Sequence, residues 1–437
     1  MTDGYLSING RRRLFGETSV QGSKNSALPC LTACCMCEKG CCNLCRCPYL
    51  SDVENTLEIM ETLGCRCNYD SERELANISA ESIFGSTIEP EMMNRMRSSI
   101  LFLGVLLSRI GEADVGYPGG CELGARPIDL HLKAFRKLGV QIEESQGVIH
   151  CRIKSKLKPC SVSLLCPSVG ATENIMLLMA KSDGETVIRN AAREPEIVDL
   201  QDFLNLMGAD IKGAGSDVIV INGVKKLHGA DFEIMPDRIV AVTYMAAVAG
   251  CGGEILLKGI NLEHSSMCNS ILKDIGADIR KTGDGAIISM SGRPRAVNTI
   301  KTLYYPGFPT DAQPPFMAVM TVADGTTVFL ESIFENRFRH ASELAKLGAD
   351  IDVNMCQATV RGREFLSGAD VRSYDLRGAA AMVIGGLMAE GTTRVGGLPH
   401  IERGYQDIVS DLESLGADIR IAVSYTHLRA HETRHDL

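Results

Sequence analysis

A chain of 437 residues is longer than one hydrophobic core usually organises, so two or three domains are expected. Hydrophobic residues make up 45% and charged residues 23%, which excludes a disordered or fibrous chain. The net charge of −9 argues against nucleic acid as a partner, while leaving room for a local basic pocket around a small anion.

The opening MTDGYLSINGRRRLFG holds no apolar stretch of the kind a secretory leader needs, and the longest apolar run, AAAMVIGGLMA at 379–389, is too short to span a membrane. Neither membrane nor export is expected, and the cytoplasm is the expected compartment. Seventeen cysteines remain thiols in such a reducing compartment.

The first 21 residues read as strands that need a partner elsewhere. QGSKN at 21–25 follows, with Lys24 and Asn25 just ahead of an apolar helix. Eight cysteines then crowd into 29–48. Cys34, Cys37, Cys42 and Cys45 form two CxxC pairs, but only four residues separate them, against about 15–20 in a zinc ribbon. Cys30, Cys34, Cys37 and Cys41 recur at helical spacing, so the better reading is a buried helix face of small hydrophobes that stops near Gly40.

One phrase recurs down the whole chain: TLGCRC at 62–67, KLGVQI at 137–142, LMGADI at 206–211, DIGADI at 274–279, KLGADI at 346–351 and SLGADI at 414–419. The glycines are spaced by 75, 69, 68, 72 and 68 residues. Each copy reads as an amphipathic helix ending on a left-handed glycine, then a short strand and often a second one. A unit of about 70 residues is too small to bury both faces alone, so six units suggest two lobes of three. The expected lobes are 1–21 with 236–421, and 22–235, with crossings at QGSKN and at MPDR (235–238). Such a double crossing makes a hinge beside a ligand cleft. The last fourteen residues, 424–437, break the pattern after the sixth copy and are read as an appended, non-native tail.

Candidate chemistry concentrates in loops. YPGGCELGARP (117–127) sets Cys121 among glycines, five residues before Arg126, with Pro127 suited to a first helical turn. A helix N-terminus and a guanidinium lower a thiol's pKa and attract anions, so Cys121 reads as a mobile, reactive thiol; the alternative is a buried loop cysteine. Arg97 falls in an expected helix, Arg238 follows Pro236 and Asp237, and Arg337, Arg377 and Arg403 lie in FENRF, YDLRGAA and HIERGYQ. Singly each is a surface charge; together, at turns before apolar helices, they suit a small polyanion. Asp311, between prolines in FPTDAQPPF, is either a general base or a turn-capping residue. No P-loop, dinucleotide fingerprint or HExxH is present.

The stretches GSKNSALP, PGGCELGARPIDLHL, SVGATENIM, NAAREPEIVDL, PDRI, FPTDAQ, FENRF, DLRGAAA and HIERGYQ resemble the enolpyruvyl transferase family, and within it the branch acting on UDP-N-acetylglucosamine. The likeness runs from about residue 4 to 421. It implies an α/β fold of two inverse α/β domains, each of three βαβαββ-type units. It implies transfer of the enolpyruvyl group of phosphoenolpyruvate to the 3-hydroxyl of UDP-N-acetylglucosamine with release of phosphate, the first committed step toward peptidoglycan, without metal or organic cofactor. By the same resemblance Lys24 and Asn25 touch phosphoenolpyruvate. Arg97, Arg126, Pro127, Ile128, Asp129, Leu130, Cys166, Pro167, Ser168, Val169, Asp311 and Ile333 contact the UDP-sugar. Cys121 protonates the phosphoenolpyruvate methylene, Asp311 accepts the sugar hydroxyl proton, and Arg238, Arg337, Asp375, Arg377 and Arg403 hold phosphoenolpyruvate or close the lobes. Fosfomycin, an epoxide mimic of phosphoenolpyruvate, is expected to alkylate Cys121. Cys166 departs from the family pattern, standing where many relatives have lysine or arginine. The shikimate-pathway transferase, which shares the fold, lacks the loop cysteine, so PGGCELGARP argues against it. A catalytically silent ligand-sensing relative and a cysteine-rich metal binder are weaker alternatives.

Overall fold

A computed structural model describes residues 4–119 and 128–423. It contains six four-stranded sheets, and the six repeated glycines explain their regularity. Gly64, Gly139, Gly208, Gly276, Gly348 and Gly416 all have positive φ, between 84° and 111°. The residue after each glycine donates its N–H back to the last turn of the helix, as in Cys65 to Met60 O, Val140 to Phe135 O and Ala417 to Leu412 O. A side chain at these positions would be strained, so glycine ends the helix and turns the chain into the next strand.

Each sheet repeats one plan. In the unit Ser161–Asn222, strand Ser161–Ser163 runs parallel to Glu185–Arg189, which pairs antiparallel with Val218–Asn222 and through it with Asp210–Lys212. A buried helix, Val169–Met179, lies between the first two strands, and a half-exposed helix, Pro195–Leu206, precedes the last two. The order is therefore βαβαββ. Three sheets close with distant strands: Asp231–Glu233 pairs with Asn43–Cys45, and Gly4–Asn9 sits between Thr392–Gly396 and Asp418–Val423. Leu14–Ser19 joins Gly253–Lys258 in parallel.

Two separate buried clusters result. One draws on residues from Ala27 to Ile234, the other on Leu6–Val20 together with Val240–Ile419. The chain crosses between them twice, side by side. Ser23 N donates to Met235 O at 2.7 Å and Asp237 N to Gln21 O at 2.9 Å. Each cluster is centred on three helices: α1 (Lys24–Cys34), Leu101–Arg109 and Val169–Met179 in the first, and Arg238–Cys251, Gln313–Met320 and Leu376–Met388 in the second. Their sequences are apolar on every side, as in RIVAVTYMAAVAG, and they are buried accordingly.

The cysteine-rich segment differs from the expected long helix. α1 stops at Cys34, and although Cys30, Cys34 and Cys37 are buried, Cys41 is exposed. The reason is tertiary: Cys42–Leu44 pairs antiparallel with Ala76–Ile78, so the chain must leave helical geometry before Gly40. Among the described residues no three His, Cys, Asp or Glu side chains are grouped so as to hold a metal. No described helix is long and apolar enough to cross a membrane.

Candidate active site

The sequence-derived candidates gather at the N-termini of the buried helices. Lys24 is the first residue of α1, Arg238 the first of Arg238–Cys251, and Asp375 and Arg377 flank the start of Leu376–Met388. Arg97 opens the 3₁₀ turn Arg97–Ile100 ahead of Leu101–Arg109, rather than lying within that helix, and Asp311 sits in the 3₁₀ turn before Gln313–Met320. Ser168 caps Val169–Met179, its hydroxyl accepting from Ala171 N. A helix N-terminus carries partial positive charge and unpaired N–H groups, so such an arrangement favours anions.

At its centre Lys24 Nζ lies 2.5 Å from Asp52 Oδ2. Asp52 belongs to the first turn of helix α2 (Ser51–Thr62). Its carboxylate also accepts from Arg403 Nε at 3.0 Å and Nη2 at 3.3 Å. Burial lowers the pKa of Lys24, and the charges of Arg403 and Arg377 lower it further, against the opposing pull of Asp52. Burial alone would raise Asp52, but Lys24 and Arg403 outweigh it and hold the carboxyl below its usual range. Three cations, Lys24, Arg403 and Arg377, thus act on one another around the Asp52 carboxylate, a cluster that suits an anionic ligand.

A second network adjoins the first. Arg337 donates to Thr310 O at 2.9 Å, to Asp311 Oδ1 at 3.0 Å and to Asp375 Oδ1 at 3.5 Å. Arg377 Nε reaches Asp311 Oδ2 at 3.2 Å. Asp375 caps its helix, accepting from the N–H groups of Arg377 and Gly378. The Asp311 oxygens face two buried guanidiniums. Arg377 Nη1 is buried with no hydrogen-bond partner among the described residues. A buried guanidinium N–H in that condition is a donor open to a ligand.

Arg238 lies at the junction between the two clusters, and Arg97 within the first. Arg238 Nε donates to Glu196 Oε1 at 2.9 Å, and its guanidinium lies 5.5 Å from the centre of the Tyr305 ring. Burial, with the neighbouring Cys166 thiol adding to it, pushes the Tyr304 hydroxyl up to about 12. Arg97 acts electrostatically on His131, whose pKa falls to about 3, chiefly through burial and then through that arginine. Asn174 Nδ2 bonds His131 Nδ1 at 3.0 Å, which holds the ring in place.

Other candidates are not drawn into these networks. Asp129 pairs with Lys133 along its own helix at 2.8 Å. Ile128 is buried and Leu130 half-buried against the first cluster. Ile333 N donates to Glu331 Oε1 at 2.8 Å. Asn25 and Pro167 are half-buried, and Val169 begins its helix. Cys121, Arg126 and Pro127 lie outside the described residues, as does the segment 424–437.

A family model described as EPSP synthase (3-phosphoshikimate 1-carboxyvinyltransferase) matches residues 8–412. The chain is 49% identical over 416 residues to UDP-N-acetylglucosamine 1-carboxyvinyltransferase 2 of Caldanaerobacter subterraneus subsp. tengcongensis, covering 95% of this chain and 99% of that one. It is 45% identical over 420 residues to UDP-N-acetylglucosamine 1-carboxyvinyltransferase of Trichlorobacter lovleyi, covering 95% and 98%. The chain belongs to the UDP-N-acetylglucosamine 1-carboxyvinyltransferase family. Among solved structures it is similar to the enolpyruvyl transferase NikO from Streptomyces tendae, with a TM-score of 0.88 and 25% identity over 97% of this chain and all of that one. The EPSP synthase of Acinetobacter baumannii, at TM-score 0.75 and 19% identity, shares the fold. Two inverse α/β halves of three βαβαββ units each are thus the fold of this carboxyvinyltransferase.

Sequence reasoning passed over several residues that the fold places against the candidates. Asp52 joins Lys24 to Arg403, and Glu196 holds Arg238. Asp237 caps its helix through the N–H groups of Ile239 and Val240 and also accepts from Lys24 N at 3.2 Å. A carboxylate at a helix start was the available signal in YLSDVEN and MPDR, but it marks a cap in most proteins and says nothing of a distant cation.

Proposed function

We propose that the protein transfers the enolpyruvyl group of phosphoenolpyruvate to the 3-hydroxyl of UDP-N-acetylglucosamine, releasing phosphate in the first committed step of peptidoglycan synthesis. The observation that carries this reading is the convergence of Lys24, Arg377 and Arg403 beside the buried helix starts, in a chain of this family. Phosphoenolpyruvate brings a phosphate and a carboxylate, which suit that set of cations. Lys24 and Arg403 hold the phosphate side, and the open Nη1 of Arg377 takes an oxygen of the substrate.

The reaction needs an acid and a base. The sugar oxygen attacks C2 of phosphoenolpyruvate while Cys121 protonates C3; Asp311 takes the hydroxyl proton. Breaking the C2–O bond then releases phosphate, and loss of a proton from C3 restores the double bond. Protonating an alkene carbon creates an oxocarbenium-like centre, so a positioned acid and a water-poor cleft are both required. Lobes 1–21 with 236–421 and 22–235 would close to provide that cleft. The Arg238–Glu196 pair and the Tyr304–Cys166 contact lie where those lobes meet, which supports this assignment. Asn25 is assigned to phosphoenolpyruvate beside Lys24, and the remaining UDP-sugar contacts to Arg97, Arg126–Leu130, Cys166–Val169 and Ile333. The free thiols of the described cysteines fit a cytoplasmic enzyme.

The test is incubation with both substrates while following phosphate release. Release should require phosphoenolpyruvate and UDP-N-acetylglucosamine together. Turnover with shikimate 3-phosphate in place of the sugar nucleotide would refute the assignment.

A further inference from the structure

The proposed reaction makes no use of the cysteine-rich segment, yet one of its thiols, Cys35, is brought against a cysteine beyond it, Cys65. Cys35, on which α1 ends, and Cys65, in the glycine turn after α2, bring their sulfurs to 3.7 Å. α1 packs against α2. Cys65 is further fixed by its N–H bond to Met60 O at 3.0 Å. Cys35 is fully enclosed whereas Cys65 is 6% exposed, so a small solute reaches Cys65 first.

The electrostatics are equally asymmetric. The contact with the Cys35 sulfur lowers the pKa of Cys65, and Arg109 adds to this against the effect of burial. The same contact, followed by burial, raises Cys35 well above the usual thiol range. Cys65, the more exposed of the two, is the sulfur a small oxidant meets, and Cys35, 3.7 Å away, is the one placed to resolve it.

We infer that Cys35 and Cys65 form a reversible intramolecular disulfide when the protein meets hydrogen peroxide. The Cys65 thiolate attacks one peroxide oxygen, the O–O bond breaks, and the other oxygen leaves as water after protonation, giving a sulfenic acid. The Cys35 sulfur then attacks the Cys65 sulfur. The S–S bond forms, the S–O bond breaks, and the hydroxyl departs as water with the Cys35 proton. Two thiols lose two electrons and one peroxide becomes two waters. The sulfurs must close from 3.7 Å to about 2 Å.

The experiment treats the full chain with hydrogen peroxide, unfolds it in N-ethylmaleimide, digests it without reductant and maps the cysteines by mass spectrometry. A peptide linked through Cys35 and Cys65 is expected, and it should vanish on adding dithiothreitol. In Cys35→Ala, Cys65 should proceed to the sulfinic acid, because no resolving thiol remains. In Cys65→Ala, Cys35 should be recovered as N-ethylmaleimide adduct. The inference is overturned if links join other cysteine pairs of the segment instead. It is overturned equally if both sulfurs are recovered as thiols at doses that oxidise the exposed Cys356. The wild-type map decides these outcomes even if a variant fails to fold.

Discussion

The Lys24 ammonium and the Asp52 carboxylate, in the first turns of two neighbouring helices, lie 2.5 Å apart, both almost removed from solvent. A lysine that burial has made easier to deprotonate keeps its charge because of this partner. Asp52→Asn should therefore lower kcat/KM for phosphoenolpyruvate by about 10- to 100-fold through misplacement and weaker charge. The sign of the pH effect follows. Removing the anion lowers the Lys24 pKa further, so the alkaline fall of activity should begin at lower pH in the variant than in the wild type. A pH profile of kcat/KM whose alkaline limb does not move would count against this role.

Asp311 is held by Arg337 and Arg377 from two sides. If it accepts the sugar hydroxyl proton, Asp311→Asn should reduce kcat by roughly 100-fold or more, with KM for both substrates changed far less. An equal loss carried entirely by KM would identify it as a binding residue only.

Fosfomycin should inactivate the protein by labelling Cys121. Burial raises the pKa of Cys30, Cys34, Cys47, Cys151 and Cys268, which leaves these enclosed thiols protonated. Peptide mapping after treatment should find the adduct at Cys121 alone. Cys121→Asp should resist the drug while keeping part of its transferase activity, since aspartate also holds a transferable proton. Adducts spread over the segment 30–47 would show that another thiol is the target.

The Arg238–Glu196 pair joins the two buried clusters, and both side chains are nearly inaccessible. Arg238→Met leaves Glu196 buried without a counter-ion and should cost about 3–5 kcal/mol of stability in urea unfolding. Adding Glu196→Leu should recover most of that loss, because an apolar pair needs no desolvation of charge. A double variant no more stable than the single one would mean that the pair is held by more than mutual neutralisation.

His131 gives a pH dependence of defined sign. Its folded pKa, about 3, lies below the ordinary histidine value near 6.5. The unfolded chain therefore takes up a proton that the folded one refuses. The contribution is complete above pH ~6.5 and is lost as pH falls toward 3, at ~1.4 kcal/mol per pH unit. Between pH 7 and 5 the wild type should lose roughly 2 kcal/mol more than His131→Gln, measured by denaturant unfolding. Parallel curves for the two proteins would remove this histidine from the account.

Much of the architecture was readable along the chain because helix termination is local chemistry. The six glycines of the repeated phrase all take positive φ, and each supports the same return bond from the residue that follows it. Apolar helices such as Arg238–Cys251 and Leu376–Met388 also announced their burial by composition. The ionic partners were hidden for the opposite reason. Asp52 and Arg403 are 351 positions apart, and Arg238 and Glu196 are 42 apart, so no local pattern joins either pair. The cysteine stripe failed on the same ground. Spacing alone favoured a helix through Cys41, but pairing of Cys42–Leu44 with Ala76–Ile78 draws the chain into a sheet. Periodicity reports what each segment prefers in isolation. Which charges meet, and which thiols come within 3.7 Å, depends on how the six units pack around their buried helices.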